Sequence, residues 1–208
     1  MLTESATPHF PFLTLLVSGG HTMLVLVQSL DKFQILADTL DDSVGFVATS
    51  TDRRNTFDKF ARTLALGWQS APGALVEQLA AQHTDGNAVT LPRILLGAPS
   101  FSYSGLKSAA SRAVQRAGGP ESMSTQDKAA LAHAFQHAAF AQLEDKMVRA
   151  LVCKKPPMRI PKGWHLHETS NIPPEAIQSV VCSGGVASNM ELRRRCAPVF
   201  PSVRDPIC

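Results

Sequence analysis

The sequence predicts an α/β lobe: an antiparallel meander near the start, helices after it, and a late strand that rejoins the sheet. Three observations carry this expectation. Apolar, β-branched runs follow one another closely at residues 12–17, 22–28 and 33–39. Helical spacing takes over from residue 58. An apolar stretch running into Ser-Gly-Gly occurs twice, as Leu15-Leu16-Val17-Ser18-Gly19-Gly20 and as Val180-Val181-Cys182-Ser183-Gly184-Gly185.

The first two strands are separated by Ser18-Gly19-Gly20 and the next two by Leu30-Asp31-Lys32, connections short enough for hairpins. Helical spacing over residues 58–66 puts Phe60, Ala61 and Leu64 on one face together with the preceding Phe57, and residues 73–82 again show helical spacing. Residues 85–104 carry Pro92 and Pro99 and read as irregular. A helix starts near Ser104 and stops at Gly118-Gly119-Pro120, and a long one spans 125–152 with Ser124 or Thr125 as its cap. Residues 154–174, rich in Pro, Lys and His, read as a surface loop; 176–182 is a short strand and 188–195 a helix. Three meandering strands, helices and then a strand–helix unit make an RNase H-like lobe, as in actin-like, sugar-kinase and heat-shock ATPase folds. Such a lobe closes with one further strand and helix, so the lobe is expected to be incomplete at Cys208.

A chain of 208 residues with 44% hydrophobic and 18% charged residues supports a buried core, and no apolar run reaches the ~20 residues of a spanning helix. The net charge of +3 permits a nucleic-acid partner without arguing for one. Cys153, Cys182, Cys196 and Cys208 are widely spaced, with no C-x-x-C pair and no secretory signal before them, and read as reduced thiols of an intracellular protein. Residues 1–11 form a tail without an import presequence; either no import signal exists or the true start lies upstream.

Glycines at a strand end let backbone N–H groups approach a phosphate with no side chain in the way. Either Ser-Gly-Gly alone is an ordinary turn. Two with matching flanks favour a nucleotide lying across strand ends.

Six motifs in order now carry a resemblance. They are Leu16-Val17-Ser18-Gly19-Gly20-His21-Thr22, Asp38-Thr39-Leu40-Asp41-Asp42-Ser43-Val44-Gly45, Phe57-Asp58-Lys59-Phe60-Ala61-Arg62, Pro72-Gly73, Phe101-Ser102-Tyr103-Ser104-Gly105-Leu106-Lys107, and Ser183-Gly184-Gly185-Val186-Ala187-Ser188-Asn189. Together they resemble the tRNA threonylcarbamoyladenosine transferase family, once called glycoproteases or O-sialoglycoprotein endopeptidases, in its bacterial and mitochondrial branch. The resemblance implies an actin-like tRNA N6-adenosine threonylcarbamoyltransferase. Such enzymes move the threonylcarbamoyl group from its adenylate to the exocyclic amine of the adenosine beside the anticodon in tRNAs reading codons that start with A. Residues 12–208 would be its second lobe.

Carried over by the resemblance, Leu16, Val17, Ser18, Gly19 and Gly20 would hold the threonylcarbamoyl and phosphate part of the donor. Asp58 would accept hydrogen bonds from the ribose hydroxyls, Gly73 would admit the nucleotide, Gly184 and Gly185 would face it, and Asn189 would contact the adenylate. Asp58 equally suits a first-turn helix acid and Asn189 a helix cap. Lys107 reads as solvated, with a catalytic role left open.

The family also implies one divalent metal, Fe or Zn, held by a His pair three residues apart and a late Asp in Thr-Asp-Asn. Neither element is in this chain, which is therefore expected to hold no metal and to be truncated at both ends. His133 and His137 share a helix face but lack a third ligand and sit elsewhere; no metal ligand is assigned. Between Gly45 and Phe57 the family's Glu-Ala gives way to a polar insertion at 46–56, either a loop able to displace Asp58 or translated intron. The alternative to an enzyme is a non-catalytic nucleotide-binding or partner-binding lobe; no motif supports a protease. Implied partners are tRNA, the threonylcarbamoyl-adenylate synthase and a second copy of the transferase, with no membrane. The expected location is mitochondrial for a eukaryotic source and cytoplasmic for a bacterial one.

Overall fold

The computed structural model describes residues 8–45, 56–66, 72–84, 89–152, 173, 176–177 and 179–196. Strands β1 (Phe12–Val17), β2 (Thr22–Val27) and β3 (Phe33–Thr39) form the expected meander. Their period-two pattern sets the faces: Leu13, Leu15 and Val17 of β1 and Leu24 and Leu26 of β2 are buried, while the residues between them are half-exposed. β1 and β2 pair antiparallel from Phe12↔Val27 to Val17↔Thr22, and an irregularity at Leu24/Val25 shifts the β2–β3 register.

Two strands lie beyond the meander. β4 (Ser100–Phe101) runs parallel to the end of β3, inside a stretch expected to be irregular; two residues are too few to show a period. β5 (Val180–Ser183) pairs in parallel with β1, giving the sheet order β4-β3-β2-β1-β5. It is shorter than the expected 176–182 because the chain is still turning there, with the Ala176 N–H donating to the Pro173 carbonyl at 3.0 Å.

The helices are α1 (Thr56–Thr63), α2 (Pro72–Ala81), α3 (Ser104–Arg116), α4 (Thr125–Val152) and α5 (Met190–Cys196). α1 starts earlier and stops sooner than expected. It ends in a Schellman turn: the Leu66 N–H reaches the Ala61 carbonyl, the Ala65 N–H reaches Arg62, and Ala65 takes φ +55°. α3 closes the same way with Gly118 and Gly119 at positive φ. Ser124 caps α4 through a reciprocal pair with Asp127: the Asp127 N–H donates to Ser124 Oγ at 3.1 Å and the hydroxyl to Asp127 Oδ2 at 2.6 Å.

One continuous core joins the buried sheet face to the helices. Phe60 stacks on Phe135 at 3.8 Å between ring centroids, and Phe57 meets the same ring edge-on at 5.5 Å, which locks α1 to α4. Cys182 and Cys196 are buried thiols; Cys153 and Cys208 lie outside the described residues. The expected loop at 154–174 also lies outside them apart from Pro173.

Candidate functional site

The two Ser-Gly-Gly turns are neighbours in space. Because β1 and β5 are parallel with Leu16 beside Ser183, both turns leave from the carboxyl ends of adjacent strands, where open α/β sheets bind ligands. Gly184 takes φ +107°, and a Cβ built on it would lie 2.7 Å from the Val17 carbonyl carbon and 3.1 Å from Ser18 Cβ. The close approach expected between this glycine and a ligand is thus made by the protein itself. Gly20 and Gly185 differ, because a Cβ on either would meet nothing within 4 Å. The first turn is held by Ser18, whose N–H donates to the His21 carbonyl at 2.8 Å and whose Oγ accepts the His21 N–H at 3.1 Å.

Residues 40–45 tie this cradle to α1. The Ser43 hydroxyl donates to the Gly19 carbonyl, the Val44 N–H to Thr22 Oγ1 at 2.8 Å, and the Gly45 N–H to the Ser18 carbonyl at 3.1 Å. Returning from 46–55, which lie outside the described residues, the chain is caught at once: the Thr56 N–H donates to the Ser43 carbonyl at 3.1 Å and the Phe57 N–H to Val44 at 3.4 Å. Whatever those ten residues do, both ends are pinned beside the cradle.

That pinning places Asp58 in the first turn of α1, where the helix dipole favours a carboxylate. Asp58 is 8% exposed, and its Oδ2 lies 3.3 Å from Arg62 one turn on. Its Oδ1 is buried without a hydrogen-bond partner among the described residues, as is Thr56 Oγ1 beside it. A buried carboxylate oxygen in that state keeps unused capacity to accept a hydrogen bond.

Gly73 and Asn189 come together through a bridge. Glu77, one turn after Gly73 on α2, accepts the Met190 N–H at 2.8 Å through Oε1. Asn189 is buried and its Oδ1 accepts the Leu192 N–H at 3.0 Å, so it caps α5. This delays the helix to Met190; a short 3-10 turn, Gly185–Ser188, fills the place where the sequence predicts helix from 188. The second glycine turn therefore opens no long α-helix.

Sequence reasoning missed the use of Asp41 and Asp42. Asp41 accepts hydrogen bonds from the hydroxyls of Ser102 (2.6 Å) and Ser104 (2.5 Å) and from the Tyr103 N–H (2.9 Å), capping α3 from sixty residues away. Burial alone would raise its pKa, but these bonds outweigh it and hold the carboxyl below its ordinary value. Asp42 receives Lys107 and, at 3.3 Å, Lys59. Burial lowers the Lys107 pKa, against the pull of Asp41. The adjacent acids of the second motif were the available signal.

The described residues do not fit a metal. Among the described residues no three His, Cys, Asp or Glu side chains form a group able to hold one. His133 and His137 are 6.3 Å apart by ring centroid, and His83 leans on His133 at 4.8 Å with 30° between ring planes.

The described residues thus define a mixed α/β protein, a five-stranded sheet with helices, in which two glycine turns leave the carboxyl ends of adjacent strands and a buried carboxylate sits on a helix hydrogen-bonded to residues 43–44 beside them. The profile of the tRNA N6-adenosine threonylcarbamoyltransferase family matches residues 1–204, and the chain belongs to that family. It is 38% identical over 189 residues to the protein of that name from Sphingopyxis alaskensis, covering 90% of this chain and 44% of that one. It is 34% identical to that of Bordetella pertussis (98% and 50%) and 40% identical over 149 residues to that of Sulfurovum sp. (71% and 40%). The chain spans about half the length, or less, of these curated relatives. No helix among the described residues is long and apolar enough to cross a membrane.

Proposed function

We propose that residues 12–208, after the tail at 1–11, are the second, RNase H-like lobe of an actin-like enzyme that transfers the threonylcarbamoyl group to tRNA; most of the insertions expected at 46–56 and 154–174 lie outside the described residues. The strand order β4-β3-β2-β1-β5, with β5 parallel to β1, supports that architecture. The donor is threonylcarbamoyl-adenylate, a mixed anhydride. The exocyclic amine of the adenosine attacks its carbonyl carbon, the new C–N bond forms, the C–O bond to phosphate breaks, adenylate leaves, and the amine releases a proton.

In this reading the turn from Leu16 to Gly20 and the facing Gly185 border the acyl and phosphate groups, with Gly184 as the spacer that brings the turns together. Gly73 and the Asn189 amide border the nucleotide, while Asp58 takes the ribose hydroxyls. Partners are tRNA, the synthase that makes the adenylate, and a second copy of the transferase; the site of action is the mitochondrion or the bacterial cytoplasm according to source.

The single observation that carries the nucleotide assignment is the buried Oδ1 of Asp58, unpartnered among the described residues, on the helix whose first residue is hydrogen-bonded to Ser43. A hydrogen bond to a charged group is worth about 1.5–3 kcal/mol, roughly tenfold or more in affinity. Calorimetry with AMP and with 2′,3′-dideoxy-AMP tests it. Wild type should prefer AMP by about tenfold, and Asp58→Asn, which keeps the shape, should narrow the gap. Equal affinities in wild type would remove Asp58 from the site. Radiolabelled transfer to a tRNA transcript, compared with one lacking the target adenosine, tests the reaction and separates it from a non-catalytic binding lobe.

A further inference from the structure

A cavity of about 470 Å³ opens between α1 and α3. It is lined along α3 by Ser104, Lys107, Ser108, Ser111 and Arg112, which recur at i, i+3, i+4, i+7 and i+8 and so share one helix face. That spacing usually marks a buried apolar stripe; here it carries hydroxyls and cations. From α1 come Lys59 and Thr63, with Phe60 beneath them anchored in the core.

Three cations border the cavity, and the nearby carboxylates are engaged. Asp41 is held by the start of α3, and Asp42 by Lys107 and Lys59. Arg112 is exposed and has no carboxylate partner among the described residues. The Ser104, Ser108 and Thr63 hydroxyls already donate to Asp41 and to the Ser104 and Lys59 carbonyls, so the donors left for a tetrahedral phosphate are the Arg112 guanidinium fork, the Ser111 hydroxyl and the remaining N–H groups of Lys59 and Lys107.

The cavity also has a fixed relation to the donor cradle. Asp42 points to the lysines while its neighbour Ser43 donates to the Gly19 carbonyl, so consecutive residues, about 3.8 Å apart along the chain, face the two sites. We propose that this cavity holds a backbone phosphate of the RNA acceptor near its target adenosine. The proposal rests on the tRNA reading above. A free nucleotide fits less well, since the donor's phosphate belongs in the glycine cradle on the other side of residues 40–45.

Phosphate contacts set register and make binding salt-dependent. The test is tRNA binding to the 208-residue chain by filter retention across a salt series, with Arg112→Gln and, as a second exposed change, Ser108→Glu. AMP and pyrophosphate are titrated in parallel. Each variant should bind tRNA about three- to tenfold more weakly at low salt while AMP affinity stays unchanged, and Arg112→Gln should lower the salt slope by about 0.7–0.9. Wild-type tRNA affinity and slope retained in both variants would overturn the proposal, as would Arg112-dependent binding of pyrophosphate with tRNA unaffected. A wild type that binds no tRNA overturns it too. Arg112-dependent tRNA binding without any AMP binding would uphold this site and sink the donor site.

Discussion

Gly184 and Val17 meet so closely at the ends of β5 and β1 that the gap has no room for a side chain: a Cβ on Gly184 would lie 2.7 Å from the Val17 carbonyl carbon. Its φ of +107° adds a second barrier, since L-residues avoid that region. Gly184→Ala should therefore cost about 2–4 kcal/mol of stability, seen as a lower denaturant midpoint at unchanged slope. A Gly184 variant that also loses ligand says nothing about contact with the ligand.

Gly20 and Gly185 supply the cleaner probe. Each has open space around its missing Cβ and no positive φ, so Gly20→Ala and Gly185→Ala should leave stability within about 0.5 kcal/mol. If adenylate lies across the two turns, both should weaken its binding severalfold in calorimetry. Unchanged affinity in both would move the ligand off the strand ends.

Asp41 gives a pH prediction. Its folded pKa is held below the unfolded value, so the stability it contributes is full above the unfolded carboxylate pKa and is lost as pH falls through the lower folded value. Stability below about pH 4 should fall less steeply in Asp41→Asn than in wild type. Asp41→Ala, which removes the α3 cap outright, should cost about 1–2 kcal/mol at neutral pH. Superimposable acid limbs for wild type and Asp41→Asn would show that the cap carries no charge-dependent part.

Ala65 sits at φ +55° to close the Schellman turn of α1, a conformation that costs a non-glycine residue about 1 kcal/mol. Ala65→Gly relieves that cost while its greater freedom in the unfolded chain opposes it. A net gain of roughly 0.5 kcal/mol in chemical denaturation is expected, and a net loss would mean that the Ala65 methyl contributes packing.

The meander and the long α4 were legible because period-two and 3.6-residue patterns persist over whole elements, as in Leu13-x-Leu15-x-Val17. The Ser-Gly-Gly pair was legible as a repeat, although only the β1–β5 register shows that Gly184 packs on Val17. Asn189 had two readings in sequence, and the bond from the Leu192 N–H establishes the cap. The adjacent acids Asp41-Asp42 marked a motif without naming its partner, and the two-residue β4 left no local signal, because the Asp41 cap and β4 are each defined by a partner about sixty residues away. The cation-and-hydroxyl face of α3 was present in the letters, but its meaning depends on α1 lying against it.

The last prediction concerns metal. Zn or Fe held firmly by protein needs three or more lone pairs converging on one point at about 2.0–2.2 Å. His133 and His137, one turn apart on α4, supply two imidazoles, and His83 leans against the first of them. Burial, joined by Arg195, Arg93 and His133 and opposed by Glu144, lowers the His137 pKa, so its imidazole is neutral at pH 7 and chemically able to ligate. What is missing among the described residues is convergence of a third group. The 208-residue chain, purified without a His tag and passed through a desalting column, should carry well under one Zn or Fe by elemental analysis. Added Zn should bind no more tightly than micromolar, and His133→Ala should weaken even that. One firmly retained ion per chain, lost on His133→Ala, would show that these histidines recruit a further ligand and would reopen metal chemistry at this end of α4.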